Sequence, residues 1–251
     1  MDIAILGASG RVGRHLVSLV LECEKDTLAA AYVSSVSDCL GQAVDGTDIR
    51  YQTIDALPDR PHDLLIDFST PAATLALLDD LEACARAIVI GTTGFAEAEM
   101  TRIDDAASGI PLMLSANFAE SFEPFVDACT TLASTYPDVV PELDETYHSR
   151  KKAVPSGTSM RIVRDVAKAR REAGCRSELE IPVNIFREGE VIGTHVFRVD
   201  LGSSAFKNTF SVTSLESYAR GALQAGRWVS RCSNGLYSAA DFLESKRRLS
   251  D

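Results

Sequence analysis

The sequence predicts an α/β protein, with a Rossmann-type doubly wound parallel sheet and a second α+β domain built on a mixed open sheet. Three observations predict it. Short apolar runs alternate with amphipathic, helix-length stretches through the first half; a glycine turn, Gly7-Ala8-Ser9-Gly10-Arg11-Val12-Gly13, joins the first run to the first such stretch; and after about Asn117 three apolar runs follow one another without a helix-length gap. Strand, helix, strand repeated in this way buries both faces of a parallel sheet, whereas strands in direct succession pair as neighbours in a mixed or antiparallel one.

Taken in order, the strand candidates are Ile3-Ala4-Ile5-Leu6, residues 28–33, Leu64-Leu65-Ile66-Asp67-Phe68, Ala87-Ile88-Val89-Ile90 and Pro111-Leu112-Met113-Leu114, each bounded by Gly, Pro, Ser or Asp. Between them, residues 12–22, 72–85 and 96–107 have helical periodicity. Helices are then expected over 120–133 and 158–173, strands over 181–186, 191–201 and 205–214, and a last helix over 217–230 with a short one after it. This order assigns 1–118 and 218–251 to a dinucleotide-binding domain and 119–217 to a substrate-binding and oligomerisation domain.

Composition narrows the function. Of 251 residues, 45% are hydrophobic and 24% charged, as in ordinary globular chains. A net charge of −11 repels nucleic acid and anionic membrane, so no nucleic-acid or membrane partner is expected, and an anionic ligand needs a local basic pocket. The clusters Lys168-Ala169-Arg170-Arg171 and Lys246-Arg247-Arg248 read as solvated helix faces. Six cysteines without a Cys-x-x-Cys pair suggest packed, reduced thiols and no metal site. With no signal-like segment and no apolar span near 20 residues, a cytoplasmic location is expected.

Gly7, Gly10 and Gly13 follow a strand and open a helix, where missing side chains let the turn tighten, the backbone approach a pyrophosphate and the helix pack on the strand. The acid that usually binds the ribose 2′-hydroxyl would fall near Val33, but the chain reads Tyr32-Val33-Ser34-Ser35. Arg11 with Ser34 or Ser35 could instead accept a 2′-phosphate, which favours NADPH, with NADH as the alternative if Asp38 serves as a displaced acid.

The motifs Gly91-Thr92-Thr93-Gly94-Phe95, Ser115-Ala116-Asn117-Phe118 and Lys151-x-x-x-Pro155-Ser156-Gly157-Thr158 stand in order behind the opening glycine turn. With them the chain resembles the dihydrodipicolinate reductase family, the 4-hydroxy-tetrahydrodipicolinate reductases of lysine and diaminopimelate biosynthesis, from residue 2 to about 243. The resemblance implies a homotetramer and nicotinamide-dependent reduction of a cyclic imine-type dicarboxylate. It implies that Gly91, Thr92 and Thr93 line the nicotinamide and that Asn117 and Phe118 cover it, giving a cofactor set of Gly7, Ser9, Gly10, Arg11, Val12, Gly13, Ser34, Phe68, Gly91, Thr92, Thr93, Ser115, Asn117 and Phe118. Ser156, Gly157 and Thr158 open a helix whose N–H groups and hydroxyls can hold a carboxylate, and His148 would bind the same small anionic substrate. Lys151 fits the family's catalytic lysine, neutralising that carboxylate and helping to deliver a proton.

Two departures stand out. The family element begins Glu-x-His-His, but here Glu145-Thr146-Tyr147-His148 puts tyrosine at the first histidine, where a phenol with an ordinary pKa of about 10 is a weaker acid than an imidazole of about 6.5. Late in the chain Phe210 and Leu215 stand where the family shows a histidine and an arginine, which removes an anchoring cation, while Arg187 keeps the family's arginine-glycine-acid turn. Three readings follow: the family reaction with Lys151 and the weaker acid Tyr147, a related reductase acting on another imine or unsaturated acid, and a dinucleotide-binding protein with little turnover.

Overall fold

A computed structural model describes residues 1–55, 61–176 and 180–248. The chain forms two compact units, Met1–Phe118 with Leu215–Asp251, and Ala119–Ser214. The return falls three residues before the position read from the sequence, because the last long helix already begins at Glu216. Residues 249–251 of the expected first domain lie outside the described residues.

The first unit begins with β1 (Asp2–Leu6), α1 (Arg11–Leu21), β2 (Thr27–Tyr32) and β3 (Tyr51–Gln52), and continues through β4 (Leu64–Asp67), α2 (Pro71–Leu78), α3 (Leu81–Cys84), β5 (Ile88–Ile90), α4 (Glu97–Ala107) and β6 (Pro111–Leu114). Successive side chains of β1 enter opposite cores. Ile3 and Ile5 pack with Leu16 and Val20 of α1, while Ala4 and Leu6 pack with Leu77 of α2 and Ile103 of α4. That two-sided burial is why these strands read as continuous apolar runs.

The expected helix over 72–85 is two helices. Thr70 caps α2, its hydroxyl accepting from the Ala73 N–H with Pro71 in the first turn, and the helix ends at Asp79-Asp80. Short acidic side chains compete for the backbone and are poor helix formers, so adjacent aspartates break the run even though apolar residues continue beyond it.

The second unit holds α5 (Phe122–Thr135), β7 (Glu142–Tyr147), α6 (Gly157–Glu172), β8 (Val183–Arg187), β9 (Gly193–Asp200) and β10 (Ala205–Val212). Its sheet has the order β10-β9-β7-β8, with β7 parallel to β8 and β9 antiparallel to both β7 and β10. The sequence gives no warning of β7, a central strand: it reads Glu-Leu-Asp-Glu-Thr-Tyr, and the covered face of its alternation includes a carboxylate, Glu145, between Leu143 and Tyr147. On the opposite face Thr194 bonds Ser211 across β9 and β10, and Phe186 remains half exposed.

The chain then returns to the first unit through α7 (Glu216–Val229), β11 (Gly235–Tyr237) and α8 (Ala239–Arg248). Ala219, Ala222, Leu223 and Val229 of α7 complete the core over α1, and β11 pairs with β6. The finished sheet is parallel throughout, in the order β11-β6-β5-β4-β1-β2-β3.

Candidate active site

In the first unit the strand order reverses between β1 and β4, and the carboxyl ends of strands at such a reversal are where ligands dock in open α/β sheets. Gly7 leaves β1 with φ +82°, and a Cβ there would lie 2.8 Å from the carbonyl carbon of Phe68, so the left-handed turn and the close approach both require glycine. A Cβ on Gly13 would strike the Gly7 carbonyl oxygen, which is how the third glycine lets α1 lie against the turn. Gly10 caps α1 without a side-chain hydrogen bond, and no acid stands in the first turn, which Arg11 and Val12 open. A bare, positively polarised helix start beside two glycines is a cradle that fits a dinucleotide pyrophosphate.

The other expected cofactor residues collect on the loops after β4, β5 and β6. Phe68 donates its N–H to the Leu6 carbonyl at 3.0 Å, packs edge-on against Phe118 at 5.9 Å, and has its ring where any Gly91 side chain would fall. Ser115 Oγ donates to the Asn117 carbonyl at 2.8 Å and accepts the Asn117 N–H at 3.2 Å, which fixes the turn leading to Phe118. Thr92 is buried and Thr93 exposed, and Ser34 is exposed in the turn beyond β2. Ser9 Oγ lies 3.4 Å from Ser37 Oγ, and its carbonyl accepts from Arg14 Nε at 2.9 Å, a second cation beside the glycine turn that sequence reading passed over.

Asp67 was also passed over, although a strand ending Leu-Leu-Ile-Asp was a visible signal. It is fully buried at the end of β4, where its carboxylate accepts from the Ser69 N–H at 2.9 Å, Ser69 Oγ at 2.5 Å, Thr92 Oγ1 at 3.0 Å and the Thr74 hydroxyl. Burial pushes its pKa up, and the bonds from Ser69, Thr74 and Thr92 offset this only in part. Its structural effect is to fix Thr92 and the turn after Phe68.

In the second unit Tyr147, at the end of β7, is buried, and the Lys151 ammonium lies over its ring 3.4 Å from the centroid. Burial raises the Tyr147 pKa, an effect that Ser156 and Thr158 at the start of α6 oppose. Lys151 and Tyr147 are therefore joined, while at the helix start Ser156 and Thr158 are buried and Gly157 exposed, and His148 is half-buried.

Glu145 already occupies part of the helix start expected to receive a substrate carboxylate. Its Oε2 accepts the Ser156 N–H at 2.8 Å and Ser159 Oγ at 2.5 Å, and Ser156 Oγ caps the Ser159 N–H at 3.1 Å. What this leaves for an anion centres on Gly157 and Thr158. Burial alone would raise the Glu145 pKa, but hydrogen bonds from Ser159, Ser156 and Arg187 outweigh it and hold the carboxyl below its ordinary value.

Arg187 is the other residue whose role emerges only from the structure. It donates to Glu145 Oε1 at 2.8 Å and to the carbonyls of Lys151 at 3.2 Å, Lys152 at 2.6 Å and Val154 at 3.1 Å. One guanidinium thus ties the loop carrying Lys151 to a buried carboxylate on the central strand, a use of its planar fork that lysine cannot copy. Phe210, expected at the site, instead packs among Phe122, Phe125 and His195, and Leu215 sits at the start of α7.

Known proteins match the chain over nearly its whole length. The family models described as dihydrodipicolinate reductase, N-terminus, and dihydrodipicolinate reductase, C-terminus, match residues 1–118 and 122–243. The 4-hydroxy-tetrahydrodipicolinate reductase of Syntrophotalea carbinolica is 32% identical, covering 98% of this chain and 100% of that protein, and that of Sulfurovum sp. is 30% identical over 96% and 98%. Among solved structures, a dipicolinate-bound dihydrodipicolinate reductase from Paenisporosarcina sp. TG-14 shares the fold with a TM-score of 0.73 at 19% identity, over 95% of this chain and 97% of that one.

Proposed function

The chain belongs to the dihydrodipicolinate reductase family of nicotinamide-dependent oxidoreductases, and from that premise we propose that it reduces 4-hydroxy-tetrahydrodipicolinate, a cyclic imine-type dicarboxylate, in lysine and diaminopimelate biosynthesis. The observation that carries the reading is the Lys151 ammonium seated over the buried Tyr147 ring, a few residues before the helix start at Ser156, Gly157 and Thr158, in an otherwise acidic protein.

When bound, the dinucleotide supplies a hydride from its nicotinamide C4. Gly7, Gly10, Gly13 and the first turn of α1, with Ser9, Arg11 and Val12, hold its pyrophosphate; Phe68, Gly91, Thr92, Thr93, Ser115, Asn117 and Phe118 position its nicotinamide end. The turn Val33-Ser34-Ser35 offers no acid to a ribose 2′-hydroxyl, so Arg11 and Ser34 take a 2′-phosphate and NADPH is preferred. Gly157, Thr158 and His148 hold a substrate carboxylate. Lys151 neutralises developing charge, and its Nζ provides the proton that completes reduction beside Tyr147. The half-open sheet face bearing Phe186 supports assembly into a homotetramer. Among the described residues no helix is long and apolar enough to cross a membrane, and we place the enzyme in the cytoplasm as a biosynthetic reductase.

The test is NADPH oxidation with freshly prepared 4-hydroxy-tetrahydrodipicolinate, comparing the native protein, Lys151→Ala and Tyr147→His. Turnover that Lys151→Ala abolishes supports the proposal; turnover that survives it removes Lys151 from proton delivery. A second reading, a related imine or unsaturated acid as substrate, is favoured by Leu215, which offers no cation where the resemblance implies an arginine. Tight NADPH binding without turnover of this substrate would select it.

A further inference from the structure

Three aromatic rings lie behind the Lys151 ammonium and continue into the core of the second unit. Tyr147 meets His195 of β9 edge-on, with centroids 5.7 Å apart at 82°; His195 stacks on Phe210 of β10 at 6.1 Å and 27°; and Phe210 packs against Phe122 and Phe125 of α5 at 5.5 and 5.6 Å. His195 is 1% exposed, and neither ring nitrogen has a hydrogen-bond partner among the described residues. Burial lowers its pKa to about 4, so the ring is uncharged at neutral pH and places no positive charge behind Tyr147. Tyr147 and Phe210, the two positions where the sequence departs from histidine, flank this one buried imidazole on either side.

We infer that Tyr147 is a positioning residue whose ring face seats the Lys151 ammonium, so that the phenol is not the proton donor. The inference deepens the proposed function and rests on Lys151 acting there. Three observations bear it. The ammonium lies 3.4 Å from the ring centroid, inside the range at which a cation is held by an aromatic face. The phenol is buried. The ring is held from behind by His195, itself braced by Phe210, so its plane cannot tilt away without disturbing the core. A histidine at 147 together with one at 210 would put further polar rings against a buried imidazole; tyrosine and phenylalanine replace them with an aromatic column that ends under the lysine.

The experiment compares Tyr147→Phe and Tyr147→Leu in the full-length protein by kinetics and by NMR of the Lys151 side chain, assigned with Lys151→Arg. A seat requires the ring and not its oxygen. Tyr147→Phe is expected to keep kcat within about threefold and leave its pH profile unchanged, whereas Tyr147→Leu lowers kcat about tenfold, in line with the strength of a desolvated cation–π contact. The Lys151 ε-protons should show an upfield ring-current shift in the native protein and in Tyr147→Phe, and lose it in Tyr147→Leu. Equal loss of kcat in both variants, or ε-protons at the position of a solvated lysine in the native protein, overturns the inference. A native protein that shows the shift but does not reduce 4-hydroxy-tetrahydrodipicolinate overturns the substrate assignment and leaves the seat standing.

Discussion

Glu145 shows how a single buried charge can organise a loop. Its carboxylate is fully buried, and the bonds from Ser156, Ser159 and Arg187 make the ionised form the stable one in the folded state. Removing one member of such a pair leaves the other charge uncompensated, so Glu145→Gln should cost about 3 kcal/mol in denaturant unfolding. Because the folded pKa lies below the ordinary carboxylate value, the stabilisation is present above the unfolded pKa of about 4.3 and is lost as pH falls through the folded one. The stability gap between native and Glu145→Gln should therefore be constant near pH 7 and narrow below about pH 4; a gap that widens in acid would contradict the assignment. At this scale the sequence pointed to Lys151, the glycines and the Pro-Ser-Gly-Thr cap, because backbone geometry and a matched spacing are visible in it. It did not expose what Asp67, Glu145 and Arg187 bond to, because a buried ionic group looks like a surface one until its partners, distant in sequence, are known. Nor could spacing show that Phe210 faces the core of the second unit.

Among the elements, α1 depends on one missing atom. A Cβ at Gly13 would meet the Gly7 carbonyl and Ala8 Cα at 2.9 Å, so Gly13→Ala must push α1 away from the glycine turn. Titration calorimetry should show NADPH affinity reduced at least about tenfold, while Gly41→Ala, whose Cβ would meet nothing within 4 Å, should leave affinity unchanged despite its φ of +78°. The strands with both faces buried were legible because continuous apolar runs are their signature. β3 and β11 were too short to produce one, β7 hid its buried position under a charge, and the aspartates that divide α2 from α3 interrupt a run whose hydrophobicity alone argued for one helix.

For the molecule as a whole, the proposal divides the ligands between the two units, and that division can be measured. Hydrogen exchange with NADPH alone should slow the amides of residues 7–14 and 115–118 and spare those of 156–160; freshly prepared 4-hydroxy-tetrahydrodipicolinate alone should do the reverse. Protection of both sets by either ligand alone would refute the division. The reversal of strand order and the mixed sheet were both foreseeable, because they follow from whether helix-length segments separate the strands.

The interleaving of the units also constrains synthesis. Helix α7 covers α1 with Ala219, Ala222, Leu223 and Val229, and a Cβ on Gly221 would strike the Phe118 carbonyl, so the first unit's core stays incomplete until a segment more than two hundred residues downstream has emerged from the ribosome. The inserted unit, encoded between the two parts, has all its strands by Val212. The unit translated second can thus finish folding first, while the unit begun first waits, with its apolar face uncovered, until α7 has been made.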